Sequence, residues 1–163
     1  MGRVQAEPGG RVGRAEPVSS LAEALAGAWL VVEAVPERLD LKIDVWGQID
    51  ELADAGTIFA TNSSSYASRL MSEKVRDKSR LCNMHFYMPP RSNAVDLMSD
   101  GQTDPELLSS LQAILPEYDI HPFVAMREST GFIFNRVWAA IKRESLQVVA
   151  AKYSQGALAQ VVH

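Results

Sequence analysis

Apolar positions in this chain follow two alternating rhythms. Residues 29–34 form a continuous apolar run with paired valines, broken only by Glu33. At that length the run predicts a strand buried on both faces, as a parallel sheet requires. Leu39, Ile43, Trp46, Ile49 and Ala53 then recur at three- and four-residue steps, which gives an amphipathic helix one apolar stripe. Pro36 suits the first turn of that helix, where its missing N–H costs nothing, and Gly56 ends it. Residues 57–61 predict a second strand. Strand, crossover helix and strand together make a right-handed parallel unit.

The rhythm repeats less regularly downstream. Residues 66–74 read as a helix and 81–86 as a third strand, after which Met88-Pro89-Pro90 forces a loop. Residues 94–98 predict a strand. Thr103-Asp104-Pro105-Glu106 opens a helix with Leu107, Leu108, Leu111, Ile114 and Leu115 on its apolar side. Residues 122–125 predict a last strand, and from about residue 130 to 151 a longer helix carries Ile133, Val137, Trp138, Ile141 and Val148. Ahead of all this, Ser20-Leu21-Ala22-Glu23 has capping-box spacing and starts a short helix ending near Gly27. Residues 1–18 show neither period and are expected to form a mobile arm. The whole pattern predicts an α/β fold: a mostly parallel sheet with flanking helices, followed by one long C-terminal helix.

Composition narrows the function. The chain has 163 residues, 47% of them hydrophobic, and a formal net charge of −4. No basic stripe appears, which argues against nucleic acid or an anionic membrane as a main partner. The single cysteine, Cys82, cannot form an internal disulfide and sits in an apolar run, so it reads as a buried thiol in a reducing compartment. The first twenty residues lack a signal-like apolar segment, and the longest apolar run is too short to span a bilayer. A soluble, cytoplasmic protein is expected. Three scattered histidines do not supply a metal site, and no G-x-S-x-G elbow is present for a serine hydrolase.

The candidate chemistry gathers at strand ends. His85 closes an apolar strand, where open α/β sheets bind ligands, and an imidazole there can take an alcohol proton near neutral pH. A core histidine satisfied by backbone is the competing reading. Asp96 is the only carboxylate in its strand, and a buried carboxylate needs a partner. Paired to His85 it would orient the ring; as an edge residue it would simply be solvated. Asn62, Ser63, Ser64 and Ser65 follow a strand and precede a predicted helix, so they can cap that helix, face a ligand, or both. Asn135 lies in the first turns of the long helix, where a polar contact is plausible.

Taken together, Val31-Val32-Glu33-Ala34-Val35-Pro36-Glu37 with Lys42, Ala60-Thr61-Asn62-Ser63-Ser64, Met84-His85-Phe86-Tyr87 with Pro89, Ala94-Val95-Asp96-Leu97 and Gly131-Phe132-Ile133-Phe134-Asn135-Arg136 resemble the 3-hydroxyacyl-CoA dehydrogenase family. Their order and spacing agree from about residue 19 to 150. The resemblance implies an incomplete Rossmann-like NAD-binding domain over 19–128 and, over 129–163, a remnant of a helical, dimer-forming C-terminal domain. It implies NAD-dependent oxidation of a 3-hydroxyl on an acyl thioester or related hydroxy acid. It makes His85 the general base, oriented by Asp96 in place of the family's glutamate. Ser64 and Asn135 would contact substrate, while Glu37, Lys42 and Asn62 would lie near the cofactor.

The chain departs from the family in three places. Met88 replaces a substrate-binding amide. The His85–Asp96 interval is one residue shorter than the family's, and its carboxylate one methylene shorter. Either change is compatible with a subgroup acting on something other than a fatty-acyl-CoA. The family's glycine-rich turn is absent, since Gly9-Gly10-Arg11-Val12-Gly13 has neither its spacing nor a strand ahead of it. Weak or lost NAD binding is expected, with a non-catalytic interaction module, a self-associating chain or a gene fragment as the alternatives.

Overall fold

The computed structural model describes residues 13–89 and 91–150. Most of the predicted arm and the tail beyond residue 150 lie outside the described residues. Ser20 caps the short helix α1 (Leu21–Leu25) by accepting from Glu23 N at 3.2 Å, as its spacing predicts. Strand β1 (Leu30–Glu33), helix α2 (Leu39–Leu52) and strand β2 (Ile58–Thr61) follow in the order expected. Strands β3 (Leu81–Met88) and β4 (Ser92–Met98), helix α3 (Pro105–Ile114), strand β5 (His121–Ala125) and helix α4 (Phe134–Ala150) complete the chain.

The five strands pair in the order β1-β2-β3-β4-β5, parallel throughout except for the antiparallel β3–β4 hairpin. Arg91 N donates to Met88 O at 2.9 Å across the hairpin connection. Alternation along the strands divides the core. Ala60, Cys82, Met84, Val95 and Leu97 face Leu107, Leu111 and Leu115 on the α3 side. Phe59 and Leu81 face the other way, onto Leu25, Trp46 and Ile49 of α1 and α2. Cys82 is fully buried, and that burial pushes its thiol up to about 12, so it is inert core.

Four sequence expectations need correction. β1 is not buried on both faces: among the described residues it pairs only with β2, leaving Trp29 and Val32 46% and 40% exposed. Pro36 does not begin α2, whose N-cap is Arg38; Arg38 N instead donates back to Pro36 O at 2.7 Å in a tight turn. Residues 66–74 hold only one 3₁₀ turn, Ser68–Met71. The Asn83 side chain takes the place of helical bonds there, accepting from Ser68 N at 2.8 Å and donating to Tyr66 O at 2.9 Å. Finally α4 starts at Phe134, because Gly131 and Phe132 hold φ of +78° and +53°, outside the helical region.

Among the described residues no helix is long and apolar enough to cross a membrane, and no cluster of three His, Cys, Asp or Glu could hold a metal ion. α4 is amphipathic yet buries none of its residues, whereas the α3 stripe is core. Leu111→Ala is therefore expected to cost about 2–5 kcal/mol of stability, while Leu146→Ala on α4 costs under about 0.5 kcal/mol. Denaturant midpoints of the two variants check the contrast.

Candidate active site

Glu33 ends β1 and Thr61 ends β2, whereas His85 lies inside β3, which runs on to Met88 in the antiparallel hairpin rather than closing at the histidine as the sequence suggested; the histidine stands just beyond the parallel pairing of β2 with β3. Glu33 is the hub of the first group. Its Oε1 accepts from Lys42 Nζ at 2.8 Å and from Val35 N at 2.7 Å, while Oε2 accepts from Thr61 Oγ1 at 2.7 Å. Lys42 reaches it from the first turn of α2, is itself only 1% exposed, and also pairs with Glu37 at 3.2 Å. Glu37 Oε1 in turn accepts from Ser63 Oγ and from Ser65 N. Burial alone would raise the Glu37 carboxyl, but hydrogen bonds from Ser63 and Lys42 and the lysine's charge hold it below the usual glutamate range. One buried ion pair thus fixes the turn over residues 63–65.

The second group lies on the β3–β4 hairpin. His85 sits directly opposite Asp96 in the ladder, and its imidazole is buried, stacked on Phe132 with centroids 5.3 Å apart and planes at 11°. Phe132 holds that place from the left-handed backbone region, which costs a non-glycine residue about 1–2 kcal/mol. The His85 ring makes no hydrogen bond among the described residues, and its Nδ1 is buried without a partner. Asp96, fully buried, is engaged elsewhere. Its Oδ1 accepts from the Tyr87 hydroxyl at 2.8 Å, and its Oδ2 from Ile133 N and Phe134 N at 3.3 and 3.4 Å. The last two amides open α4, so the carboxylate also meets the positive end of that helix.

Burial pushes the His85 imidazole below its ordinary value, and the charges of Asp96 and Glu37 only partly offset this. Burial and the bond to Asp96 raise the Tyr87 hydroxyl, which stays protonated.

The predicted site residues divide cleanly. Asn135 Nδ2 donates to Ser64 O at 3.3 Å, which brings the start of α4 to the serine turn. Asn62 Oδ1 accepts from Phe86 N at 2.9 Å, tying the end of β2 to the residue after His85. Glu37 and Lys42 meet, while His85 and Asp96 face each other without a hydrogen bond. Sequence reasoning gave no role to Glu33, Tyr87 or Phe132, and it offered Ser63 only as a helix cap or a ligand contact, not as the donor to Glu37. A single charge in an apolar run was the signal for Glu33, and a two-residue step from His85, which keeps a side chain on one face, was the signal for Tyr87.

The sequence and the fold match known proteins. The family described as "3-hydroxyacyl-CoA dehydrogenase, NAD binding domain" matches residues 2–129. The chain belongs to the 3-hydroxyacyl-CoA dehydrogenase family. A 3-hydroxyacyl-CoA dehydrogenase-like protein, LAM1, of Cochliobolus heterostrophus is 55% identical over 73 residues, covering 45% of this chain and 15% of that protein. L-carnitine dehydrogenase of Streptomyces griseus is 34% identical over 133 residues, covering 81% and 40%. The crystal structure of Escherichia coli 3-hydroxybutyryl-CoA dehydrogenase superposes with a TM-score of 0.78 at 28% identity, over 85% of this chain and 29% of that one. The fold is Rossmann-like, and this family member spans less than half the length of each of these relatives.

Two outcomes follow from the site's electrostatics. The His85 value in the fold lies below the ordinary 6.5, so the unfolded chain takes up a proton that the folded one refuses. That stability is fully present above the unfolded value and is lost as pH falls toward the folded one. Glu37 behaves alike only below its ordinary 4.5. Between those two pH values, unfolding free energy is expected to fall in the natural chain and to stay flatter in His85→Gln, as pH-dependent denaturant titrations would reveal. Separately, Lys42→Met leaves Glu33 buried and unpaired and is expected to cost about 3–5 kcal/mol; a shift under about 1 kcal/mol in the same titrations would mean the pair is not the anchor described.

Proposed function

We propose that this chain supplies the hydroxyl-handling half of an NAD-dependent oxidoreductase acting on a 3-hydroxyl of an acyl thioester or related hydroxy acid. The observation that carries the reading is the buried His85 imidazole, whose ring has no hydrogen-bond partner among the described residues and which stands just beyond the parallel pairing of β2 with β3. As general base it takes the proton of the substrate hydroxyl. Asp96 opposes the imidazolium charge through space. Ser64 and Asn135, already joined, present a hydroxyl and an amide to the substrate. One relative named for carnitine and another for hydroxybutyryl-CoA leave the acyl carrier open.

Residues 19–128 act as the NAD-binding part and those from 129 onward belong to a helical C-terminal part. The residues near the cofactor fit it in part. Glu37 keeps about a third of its side chain exposed, and the Asn62 amide donors are free among the described residues, so the strand ends can meet hydroxyl and amide groups. Lys42 is spent on Glu33 and Glu37, and the sequence offers no glycine-rich turn for a diphosphate. NAD, when bound, accepts the hydride. By itself the chain binds it weakly, since each lost charge-assisted hydrogen bond removes about 1.5–3 kcal/mol. The buried thiol suits the cytoplasm.

Calorimetry of NAD with the purified chain is expected to give millimolar affinity or none, and micromolar affinity would contradict this. At millimolar NAD, any NADH formed from a 3-hydroxyacyl thioester is expected to fall about 10²–10⁴-fold in His85→Ala. Undiminished turnover in that variant would sink the assignment of the base.

A second reading has its own observation. The outer edge of β1 and a groove of 430 Å³ lined by Leu21, Leu25, Val31, Val32, Val45 and Ile49 leave apolar surface uncovered, as does α4. Exposed strand edges and apolar patches drive association. Light scattering is expected to show mass rising with concentration; a concentration-independent monomer would exclude self-association.

A further inference from the structure

A file of aromatic rings starts at the imidazole and leaves the sheet along α4. The His85 and Tyr87 rings lie 6.1 Å apart, Tyr87 packs on Phe134 at 4.5 Å, and Phe134 stacks on Trp138 at 6.4 Å with planes at 8°. Phe134, Trp138 and Lys142 recur at four-residue steps, which sets them in one row on the helix surface. Lys142 Nζ closes the row, 5.7 Å from the Trp138 ring centroid. Phe134 and Trp138 are 39% and 37% exposed, so the row is open to a small molecule. Asn135, bonded to the serine turn, stands at its beginning.

Charge decides what the row can take. Of the basic residues on α4, Arg136 donates to Ser129 Oγ at 2.9 Å and Arg143 pairs with Glu144 at 3.3 Å. Lys142 has no hydrogen-bond or ion-pair partner among the described residues, and the Trp138 ring alone holds its ammonium in place. A bare aromatic face would suit a quaternary ammonium, but Lys142 puts a positive charge beside that face and repels one. A flat, apolar body with an anionic end satisfies both residues. Phe134 and Lys142 are separated by about 12 Å of helix rise, so the anion sits well away from the hydroxyl that His85 meets.

We propose that this row sets the substrate class: Phe134 and Trp138 receive a flat, apolar body remote from the reacting hydroxyl, and Lys142 receives an anion at its far end. This rests on the reading of His85 as the residue that meets the hydroxyl. A carboxylate on the acyl body and a phosphate of a thioester carrier both bear the charge that Lys142 recognises. A substrate with a cationic end is disfavoured at the same place.

The test is a set of NMR-followed binding titrations on the purified chain, Lys142→Gln and Trp138→Ala. The probes are 3-hydroxy-3-phenylpropanoate, the same acid with a carboxylate or a trimethylammonium group at the far end of the ring, and a short 3-hydroxyacyl-CoA. The ring-carboxylate probe is expected to shift His85, Asn135 and the Trp138 indole together. It should bind about 3–5-fold tighter than the unsubstituted ring, the gain an exposed ion pair supplies, and the cationic probe should bind most weakly. Lys142→Gln is expected to abolish that order without changing the affinity of the unsubstituted ring. Trp138→Ala is expected to weaken all the aromatic probes by about 3–10-fold. Both substituted residues are exposed, so neither change opens the core. A loss in Lys142→Gln confined to the ring-carboxylate probe assigns the anion to the acyl body, and one confined to the thioester assigns it to the carrier. Equal affinity for the anionic and cationic probes, or no effect of Lys142→Gln on either anionic ligand, would overturn the proposal. Shifts at His85 and Asn135 that stop short of Trp138 would overturn it too, yet leave the hydroxyl-handling reading standing. Shifts at Trp138 and Lys142 alone would keep the row and remove that reading.

Discussion

The antiparallel register of β3 against β4 is the constraint on which the site depends. It sets Met84 against Leu97 and Phe86 against Val95, so those side chains enter the core beneath α3, and it leaves His85 facing Asp96 on the opposite side. Slipping one residue would turn the core set away from α3 and the polar set toward it. The hydrophobic contacts with α3 therefore fix the position of the imidazole without touching it. Asp96 carries the constraint onward, because its hold on the first amides of α4 brings Phe132 over the histidine and Asn135 to Ser64.

A second anchor works from the other end of the sheet. The Glu33–Lys42 pair is buried and every oxygen of Glu33 is bonded, which separates it from surface pairs such as Arg38–Asp40, where both side chains are about two-thirds exposed. An exposed pair contributes at most about 1 kcal/mol, whereas breaking a buried one strands a charge. The buried pair shapes the serine turn through Glu37, and Asn135 closes on that turn from α4. The two anchors thus meet at Ser64, one working through charge and the other through register.

Much of the fold was legible because α2 and α3 bury regular stripes, and period alone reports those. β1 was misread because an apolar run records side-chain type, not whether a neighbour lies alongside. Residues 66–74 were misread because their backbone is satisfied by Asn83, a side chain from a later strand that no local pattern announces. His85 and Asp96 were both visible as strand residues. That the Asp96 oxygens accept instead from Tyr87 and from amides at the start of α4 was not, since those amides lie more than thirty residues away in sequence. Glu33 was named only within a motif, although its buried charge required the partner that Lys42 supplies.

The most direct test of the central claim is to follow backbone and histidine NMR signals while adding a short 3-hydroxyacyl-CoA to the purified chain. The account predicts shifts gathered at residues 62–65, at His85 and at 131–135, with those of α3 unmoved. Shifts confined to the β1 groove, or none at millimolar ligand, would contradict a hydroxyl-handling site at the ends of these strands.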